Sequence, residues 1–401
     1  MCDVTTGAET TGTETTGPEA AGTNRRRFLQ ILGSTTAASV LTTGTASASG
    51  KPRPHGRTRI IPLGTAGGPT IMNPARAGTS TAIVYQDQVY LVDLGLGAYH
   101  RLVQSGINPA LTPAGNTLGA VCGIFFTHLH SDHVADWPGL YWTAGSNSIG
   151  RTAPPIQVWG PGPRQSLPRV FPPGRTAPPV IDPADPTPGT TGMTTYLRQS
   201  FAADLNDRAR DGSAPDPGGL FQIHDVGLAG IWTPDPGGIP PRLSTPIPVW
   251  RNGDVTVTAT LVDHHPTAPA LAYRFDTPDG SVVVSGDTTV SENLIDLARD
   301  TDYLVHEVID PEFVDRVVGT LPPAQAAPLR AHLLGSHTTI EQVGAEVAEP
   351  ARARNLVLTH LVPADNPLER WHLAQRGYSG RVAVAADLEP ITVCSSEMGG
   401  G

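Results

Sequence analysis

The most informative segment of the sequence is Thr127-His128-Leu129-His130-Ser131-Asp132-His133. It directly follows the apolar run Val121–Phe126, which predicts a buried strand. Side chains that follow the end of a strand splay outward, and three imidazoles with a carboxylate in six residues converge only on a positive centre. Neutral imidazole nitrogen and carboxylate oxygen are the ligands that zinc and similar divalent ions prefer. The segment therefore predicts a metal site at the end of a strand.

Three later segments offer further ligands, namely Asp263-His264-His265-Pro266, Val284-Ser285-Gly286-Asp287-Thr288 and Leu358-Thr359-His360. The H-x-H-x-D-H pattern, followed by candidate ligands in this order, resembles the metallo-β-lactamase superfamily. The resemblance covers most of the chain between Ile60 and Ile391. It implies an α/β fold, the four-layer αββα sandwich of that superfamily. It also implies two divalent cations that activate a bridging hydroxide as the nucleophile of a hydrolase.

The resemblance also divides the ligands between two sites. One cation is expected on His128, His130 and His264, the other on Asp132, His133 and His360, with Asp287 as the bridge. Asp132 is expected to act in catalysis as well, by accepting a hydrogen bond from the attacking hydroxide. Only one of the tandem imidazoles should be a ligand, and the spacing to the following strand favours His264 and leaves His265 to contact substrate. Zn²⁺ suits these donors, and Mn²⁺ and Fe²⁺ are alternatives.

Further motifs narrow the resemblance to the ribonuclease Z and arylsulfatase-like branch: Gly64–Pro69, Arg76–Ser80, Leu91–Gly95, His306-Glu307 and Ser336-His337-Thr338-Thr339. In that branch a Glu–His pair lies beside the metals. The resemblance thus implies that Glu307 keeps His337 protonated, so that His337 donates a proton to the leaving oxygen. It also implies that Asp93 supports the metal loop, with simple turn chemistry as the alternative.

Short apolar runs between turn signals predict the strands Ile60–Leu63, Ala82–Tyr85, Val89–Val92, Val121–Phe126, Ile156–Trp159, Val255–Val262, Ala270–Phe275, Val282–Val284, Tyr303–Val305 and Leu356–Leu358. Helical patterns cover Thr195–Arg210, Glu292–Ala298 and Thr339–Val347, the last opened by a capping box, Thr338-x-x-Glu341. The hydrolase domain is expected at 57–395. Within it, about 152–249 is rich in proline. A connection of this length predicts an ordered insertion that covers the active site as a lid, with His224 as a substrate contact.

Residues 1–48 have the order of features found in an export signal. Asn24–Gln30 resembles the twin-arginine motif, a mildly apolar stretch follows from Ile31 to Leu41, and Ala46–Ala48 offers a cleavage site. The expected location is therefore periplasmic or extracellular; a flexible basic tail is the alternative. Removal of the signal leaves Cys122 and Cys394, which could pair as a disulfide or stay free.

Charge and composition restrict the function further. The net charge is −10 and Lys51 is the only lysine, which argues against broad affinity for nucleic acid or anionic membranes. No apolar run is long enough to form a transmembrane anchor. The expected function is an exported hydrolase that cleaves a small anionic phosphoester or sulfoester. Alternatives are a ribonuclease Z-like endonuclease and a lactonase or β-lactamase. A non-catalytic metal-binding protein ranks last because every ligand position is filled. Oligomeric state has no signal in the sequence.

Overall fold

The computed structural model describes residues 58–109, 111, 115–212 and 215–394, and the predicted export signal at 1–48 lies outside them. One seven-stranded sheet has the order β14-β1-β2-β3-β4-β5-β6, whose bounds are β1 (Arg59–Gly64), β2 (Ser80–Tyr85), β3 (Gln88–Val92), β4 (Val121–Phe125), β5 (Ile156–Pro161), β6 (Phe221–Val226) and β14 (Ile391–Thr392). The other has the order β13-β12-β11-β10-β9-β8-β7, whose bounds are β7 (Ile247–Asn252), β8 (Val255–Leu261), β9 (Leu271–Thr277), β10 (Gly280–Val284), β11 (Tyr303–Ile309), β12 (Asn355–Val362) and β13 (Arg381–Val384).

Both sheets are mixed, and both bury their two faces. In β4, Phe125 packs between the sheets, whereas its neighbour Ile124 packs outward under helices. In β10, Val282 and Val284 face the other sheet and Val283 faces outward. Because side chains alternate across a strand, a run that is apolar at every position belongs to a sheet covered on both sides. This pattern confirms the four-layer αββα sandwich.

Helices cover the outer faces: α1 (Ala98–Gln104), α2 (Ser131–Val134), α3 (Trp137–Asn147), α4 (Thr190–Ser200), α5 (Ala202–Asp211), α6 (Glu292–Leu297), α7 (Pro311–Val318), α8 (Pro323–Ser336), α9 (Ile340–Gln342) and α10 (Leu368–Trp371). A π-helical segment, Val343–Ala348, continues α9, and short 3₁₀ turns lie at Pro217–Gly219 and His372–Gln375. None of the helices in the described ranges combines the length and apolar character that a membrane crossing requires.

The predicted Pro-rich insertion is smaller than its expected bounds. Residues 152–249 contain β5 and β6, two strands of the first sheet, so the irregular segments are confined mainly to 162–189 and 227–246. The helix predicted at Thr195–Arg210 is two helices, α4 and α5. The break falls at Phe201, whose ring stacks on Trp142 with centroids 3.9 Å apart. Cys122 and Cys394 form no disulfide.

A buried carboxylate fixes the start of α7. Asp310 accepts hydrogen bonds from the Glu312 amide (3.0 Å), the Asn366 side chain (2.7 Å) and the Arg370 guanidinium (2.6 Å). Burial alone would raise the pKa of Asp310, but these hydrogen bonds, that of Arg370 first, hold it below its usual value. A carboxyl with a depressed folded pKa stabilises the protein above its unfolded pKa.

We expect Asp310→Asn to lower the free energy of unfolding by about 3 kcal/mol at pH 7, because Arg370 loses its buried counter-charge. The difference in free energy of unfolding between the variant and the wild type should become smaller as the pH falls below about 4. The wild-type carboxyl is protonated as the pH falls through its folded pKa, so it then lacks the charge that Asn also lacks. Urea unfolding at pH 7 and pH 3 measures both, with the exposed Asp315→Asn as control. An equal difference at the two pH values would contradict this account.

Candidate metal centre

The candidate ligands gather at one edge of the sandwich. His128 and His130 follow β4, and His264 and Asp287 follow β8 and β10. Strands β8 and β10 both pair antiparallel with β9 and therefore share a direction, so their carboxyl ends meet at the same edge. Helix α2 then places Asp132 and His133 one turn further along. The topology thus brings together residues that lie up to 232 positions apart (His128 to His360).

Asp287 lies between two groups of ligands. Its Oδ1 is 3.2 Å from His133 Nε2 and 3.3 Å from His360 Nε2. Its Oδ2 is 3.9 Å from both His128 Nε2 and His264 Nε2. Each carboxylate oxygen therefore faces one group, the arrangement expected of a bridging carboxylate. The ligands form two sets, and within each set the ligand atoms lie within 4.8 Å of one another. The first set is His128, His130 and His264, and the second is Asp132, His133, Asp287 and His360.

Outer hydrogen bonds orient four of the five imidazoles. His133 Nδ1 donates to Asp93 Oδ2 (2.8 Å), His264 Nδ1 donates to the Ser336 carbonyl (2.7 Å), and His130 Nε2 donates to Thr267 Oγ1 (2.8 Å). His128 Nδ1 lies 3.2 Å from Thr127 Oγ1. An imidazole that donates from its outer nitrogen presents the lone pair of the other nitrogen inward, as a metal ligand must.

The inner atoms fit a metal because they have no other partner. His128 Nε2, His133 Nε2 and Asp287 Oδ1 are buried and make no hydrogen bond within the described residues. Buried polar atoms normally have a partner, and leaving three together unsatisfied is costly. Imidazole nitrogens and carboxylate oxygens aimed at one point are the donor set of a divalent cation.

Burial and charge give the two groups different electrostatics. Burial lowers the pKa of His128 well below its usual value and that of His264 to about 3, so both are neutral bases. Burial also acts to lower the pKa of His133, but Asp287 and Asp93 outweigh it and raise that pKa well above its usual value. For Asp287, burial acts to raise the pKa, and His133 and His360 hold it well below the usual value. Asp287 is therefore ionised, and a bound cation would balance its charge in place of the His133 proton.

Asp93 supports the metal loop through three hydrogen bonds. Besides His133, it accepts from the Thr127 amide and the Thr127 hydroxyl, both at 2.8 Å. Its backbone is left-handed, with φ +58°, a conformation that Asp tolerates better than most residues. This geometry puts Asp93 in the supporting position that the resemblance implied.

We expect Asp93→Asn to weaken metal binding about 10- to 100-fold, because the amide NH₂ of Asn would face donors of Thr127 or His133 from which the carboxylate now accepts hydrogen bonds. A competition titration against a chromogenic chelator measures the affinity directly, without reference to activity. Asp87→Asn, in the exposed turn between β2 and β3, is the matched control. Unchanged affinity in the Asp93 variant would show that its contacts serve the turn alone.

The Glu307–His337 pair lies directly against the cluster. Glu307 Oε1 accepts from His337 Nδ1, the Thr288 amide and the Thr338 amide, each at 3.1 Å. His337 Nδ1 is also 3.8 Å from Asp287 Oδ2. Burial would lower the pKa of His337, but Glu307 and then Asp287 raise it to about 9. In the metal-free protein its imidazole is therefore protonated at neutral pH.

A β-bulge aims the last ligand. Glu307 pairs with Thr359 and Val308 with Leu361, which leaves His360 as the extra residue in β12. His360 has φ +43° and therefore points toward the cluster instead of into the sandwich. The sequence predicted that His360, His306 and Glu307 would follow their strands, but all three lie within β12 or β11. Gly67 packs so closely on the His360 ring that a Cβ would approach its Nδ1 to 2.4 Å.

Two predicted substrate contacts lie outside the cluster. His265 donates from Nδ1 to Asp263 Oδ1 (2.8 Å) beside the ligand His264, so the structure places His264 and not His265 among the ligands. His224 lies on β6, stacked on Trp159 with centroids 4.1 Å apart, and its Nε2 is 3.0 Å from Gln157 Oε1. It occupies the strand surface, away from the metal ligands, because its partners are the cross-strand residues of β5.

The predicted capping box is displaced by one residue. Thr339 caps α9 and pairs with Gln342, in place of Thr338 and Glu341. Thr338 instead donates its amide to Glu307 and its hydroxyl to the Thr288 carbonyl (2.6 Å). The Thr338 backbone thus belongs to the surroundings of the Glu–His pair, while its neighbour begins the helix.

Sequence reasoning missed Thr267 and the cavities beside the ligands. Thr267 carries no motif, and the contact with His130 spans 137 residues of sequence. A cavity of about 550 Å³ adjoins Asp132, and another of about 330 Å³ adjoins His130. The larger one is lined by Arg76, His100 and Arg101 among others, so it joins basic side chains to the ligand Asp132, and Arg101 is paired with Asp387 (3.4 Å). Arg76, which follows the glycine-containing segment Gly64–Pro69, was noted in the sequence, but its position at this cavity could not be predicted.

Comparisons with known proteins agree with this geometry. Residues 73–347 match the metallo-beta-lactamase superfamily. Ribonuclease Z from Mycobacterium avium (strain 104) is 30% identical over 334 residues, which cover 82% of this chain and 96% of that protein. Ribonuclease Z from Mycobacterium bovis (strain BCG / Pasteur 1173P2) is 28% identical over 340 residues, which cover 83% of this chain and 98% of that protein.

Solved structures share the fold at lower identity. The short form of human tRNase Z superposes with a TM-score of 0.52 at 19% identity, over 84% of this chain and 100% of that one. The metallo-beta-lactamase fold protein YhfI from Bacillus subtilis gives 0.50 at 16% identity, over 84% and 99%. The chain therefore belongs to the metallo-β-lactamase superfamily and is a metal-dependent hydrolase that acts on ester bonds.

Proposed function

We propose that this hydrolase is a dinuclear phosphodiesterase of the ribonuclease Z kind, with RNA as its substrate class and Zn²⁺ as its first-choice metal. The observation that carries the proposal is the Glu307–His337 pair, 3.1 Å apart and in contact with Asp287. A protonated imidazole beside the metals suits an ester whose leaving alkoxide is poor, as in RNA, better than an activated ring or an aryl ester.

The chain's own residues supply orientation and proton transfer. Two divalent cations, when bound, would polarise the phosphoryl group of the substrate and lower the pKa of a bound water. His128, His130 and His264 would hold one, and Asp132, His133 and His360 the other, with Asp287 shared. Asp132 presents a carboxylate oxygen that can accept a hydrogen bond from the attacking water. His337, held through Nδ1 by Glu307, keeps Nε2 to protonate the departing oxygen.

The relatives favour a different substrate class from the one that net charge alone favours. The net charge of −10 favoured a small anionic ester over RNA. Two relatives named Ribonuclease Z, aligned over more than four fifths of the chain, support RNA instead. Local charge adds to this support through Arg76 at the larger cavity beside Asp132, whereas Arg101 there is already paired with Asp387 (3.4 Å).

A substrate panel tests the proposal. The purified, zinc-loaded protein would be assayed on a precursor tRNA transcript, bis(4-nitrophenyl) phosphate, 4-nitrophenyl phosphate, 4-nitrophenyl sulfate and a chromogenic β-lactam. We expect both phosphodiesters to be cleaved, with activity lost on chelation and restored by Zn²⁺, and Mn²⁺ and Fe²⁺ compared in the restoration step. Hydrolysis of the sulfate or the β-lactam without either diester would overturn the assignment.

We also propose export by the twin-arginine route, which the order Arg25-Arg26-Arg27-Phe28-Leu29, apolar stretch and Ala46–Ala48 supports. Expression of the full chain in a bacterium with that pathway should give a shortened protein outside the cytoplasm. The double substitution Arg25→Lys/Arg26→Lys should keep the full-length form inside. Full-length protein retained in the cytoplasm in both cases would show that residues 1–48 are not an export signal.

A further inference from the structure

The cavity beside His130 is built in part by the irregular part of the insertion, which supplies six of its thirteen lining residues. It has a volume of about 330 Å³, and six of its thirteen lining residues are proline. Pro186, Thr187 and Pro188, just before α4, form one wall. The segment Pro266–Pro269, which directly follows the ligand His264, forms another. We call this cavity the insertion pocket.

Hydrogen bonds hold the insertion pocket in shape and connect it to the metal centre. Arg164 is only 6% exposed, and its guanidinium donates to the carbonyls of Pro266 and Asp235. It thereby fastens both irregular segments of the insertion to the loop after β8. On the inner side, Thr267 accepts the hydrogen bond from His130. The pocket is therefore a preformed extension of the centre.

The lining of the insertion pocket determines which part of a substrate it can bind. No carboxylate belongs to the lining residues that the structure describes, so an anionic ester meets no like charge there. The proline rings and Leu129 offer flat apolar surfaces, and the volume lies in the range of pockets for small organic groups. A planar aromatic ring fits such walls, because its faces pack on the apolar side chains while any polar groups on its edge can face Thr187 or solvent.

The cavity beside Asp132 is separate. The two cavities share no lining residue, and the ligands His130 and Asp132 divide them. A substrate whose scissile group lies on the metals would therefore have room on both sides. A phosphomonoester has one organic arm and needs one such space, whereas a phosphodiester has two.

We propose that the insertion pocket binds the planar aromatic group, a nucleobase or an aryl ring, on one arm of a phosphodiester, while the cavity beside Asp132 takes the other arm. This inference rests on the phosphodiesterase function proposed above and extends it to substrate selection. The insertion thus acts as a wall of a specificity pocket at one side of the metals.

Filling the pocket tests the proposal. Thr187→Trp puts an indole into the lining, and Thr176→Trp puts the same side chain at an exposed position of the same insertion, outside the lining. Zinc-loaded proteins would be compared on bis(4-nitrophenyl) phosphate and methyl 4-nitrophenyl phosphate. We expect Thr187→Trp to raise KM for the diaryl ester about tenfold with kcat changed less than about twofold, since only binding of a remote arm is lost. Thr176→Trp should leave both constants unchanged.

A second pair guards against misfolding of the tryptophan variant. Thr187→Glu adds a carboxylate to a lining that has none and should likewise raise KM, whereas Thr176→Glu should not. Zinc content and the unfolding midpoint should match the unsubstituted protein in all four variants. If that protein cleaves the diesters and the Thr187 variants behave like their Thr176 controls, the pocket does not bind the ester. If it cleaves no diester, the phosphodiesterase proposal fails, and the proposed occupant of the pocket fails with it.

Discussion

Replacing Asp287 with Asn should remove metal and activity together. Asp287 is the only described residue whose two carboxylate oxygens face both ligand groups, so the neutral amide loses the charge shared between them. We expect kcat/KM on bis(4-nitrophenyl) phosphate to fall at least about a thousandfold, which corresponds to the loss of several kcal/mol of electrostatic stabilisation. Metal analysis should show the stoichiometry falling from near two ions per chain to one or fewer.

The control for this variant is Asp276→Asn, because Asp276 lies on β9 with its side chain partly exposed and paired with Arg274. It should keep full metal content and rate. An Asp287→Asn protein that retained two ions and lost only rate would mean that Asp287 acts on the substrate and does not bridge the metals.

Replacing His337 with Ala should slow esters with poor leaving groups far more than activated ones. We expect a loss of about 10²- to 10⁴-fold in kcat on an alkyl or RNA diester, the usual contribution of a positioned general acid, and less than about tenfold on 4-nitrophenyl esters. The reason is that 4-nitrophenolate leaves without a proton, whereas an alkoxide does not. A plot of log kcat against leaving-group pKa should therefore steepen in the variant.

His372→Ala is the matched control, since His372 is exposed and lies in the short 3₁₀ turn His372–Gln375. It should leave the slope of that plot unchanged. Glu307→Gln should reproduce part of the His337 effect, because the amide no longer holds the imidazolium charge. Equal losses across the whole leaving-group series would remove the general-acid role from His337 and leave it a purely structural one.

The strands that cross the sandwich could be predicted because burial on both faces makes their sequences continuously apolar. The run Val121–Phe126 is one example, since its residues are buried alternately between the sheets and under the helices. The metal ligands were equally accessible, because each segment follows or lies within such a run. The motif and the predicted end of a strand therefore supported the same assignment of metal ligands.

Other features depended on contacts that no local pattern records. The strand β6 was missed because Gln222, His224 and Asp225 are polar residues on an edge strand, where half-exposed side chains need no apolar pattern. Helix α8 has proline at its first position and again inside, at Pro328, which argues locally against a helix of 14 residues. Thr267 and Arg164 act through partners 137 and 102 residues away. Their roles become visible only when the fold brings these partners together.

The left-handed backbone at His360 links folding to cation uptake. A non-glycine residue in this conformation costs about 1–2 kcal/mol, and the cost is present whether or not an ion is bound. Coordination of a cation by His360 would offset this cost in the loaded protein, and the metal-free protein lacks that compensation. His360, which completes the second ligand set, is thus one of the strained backbone positions of the metal-free fold, and chelation should loosen β12 there.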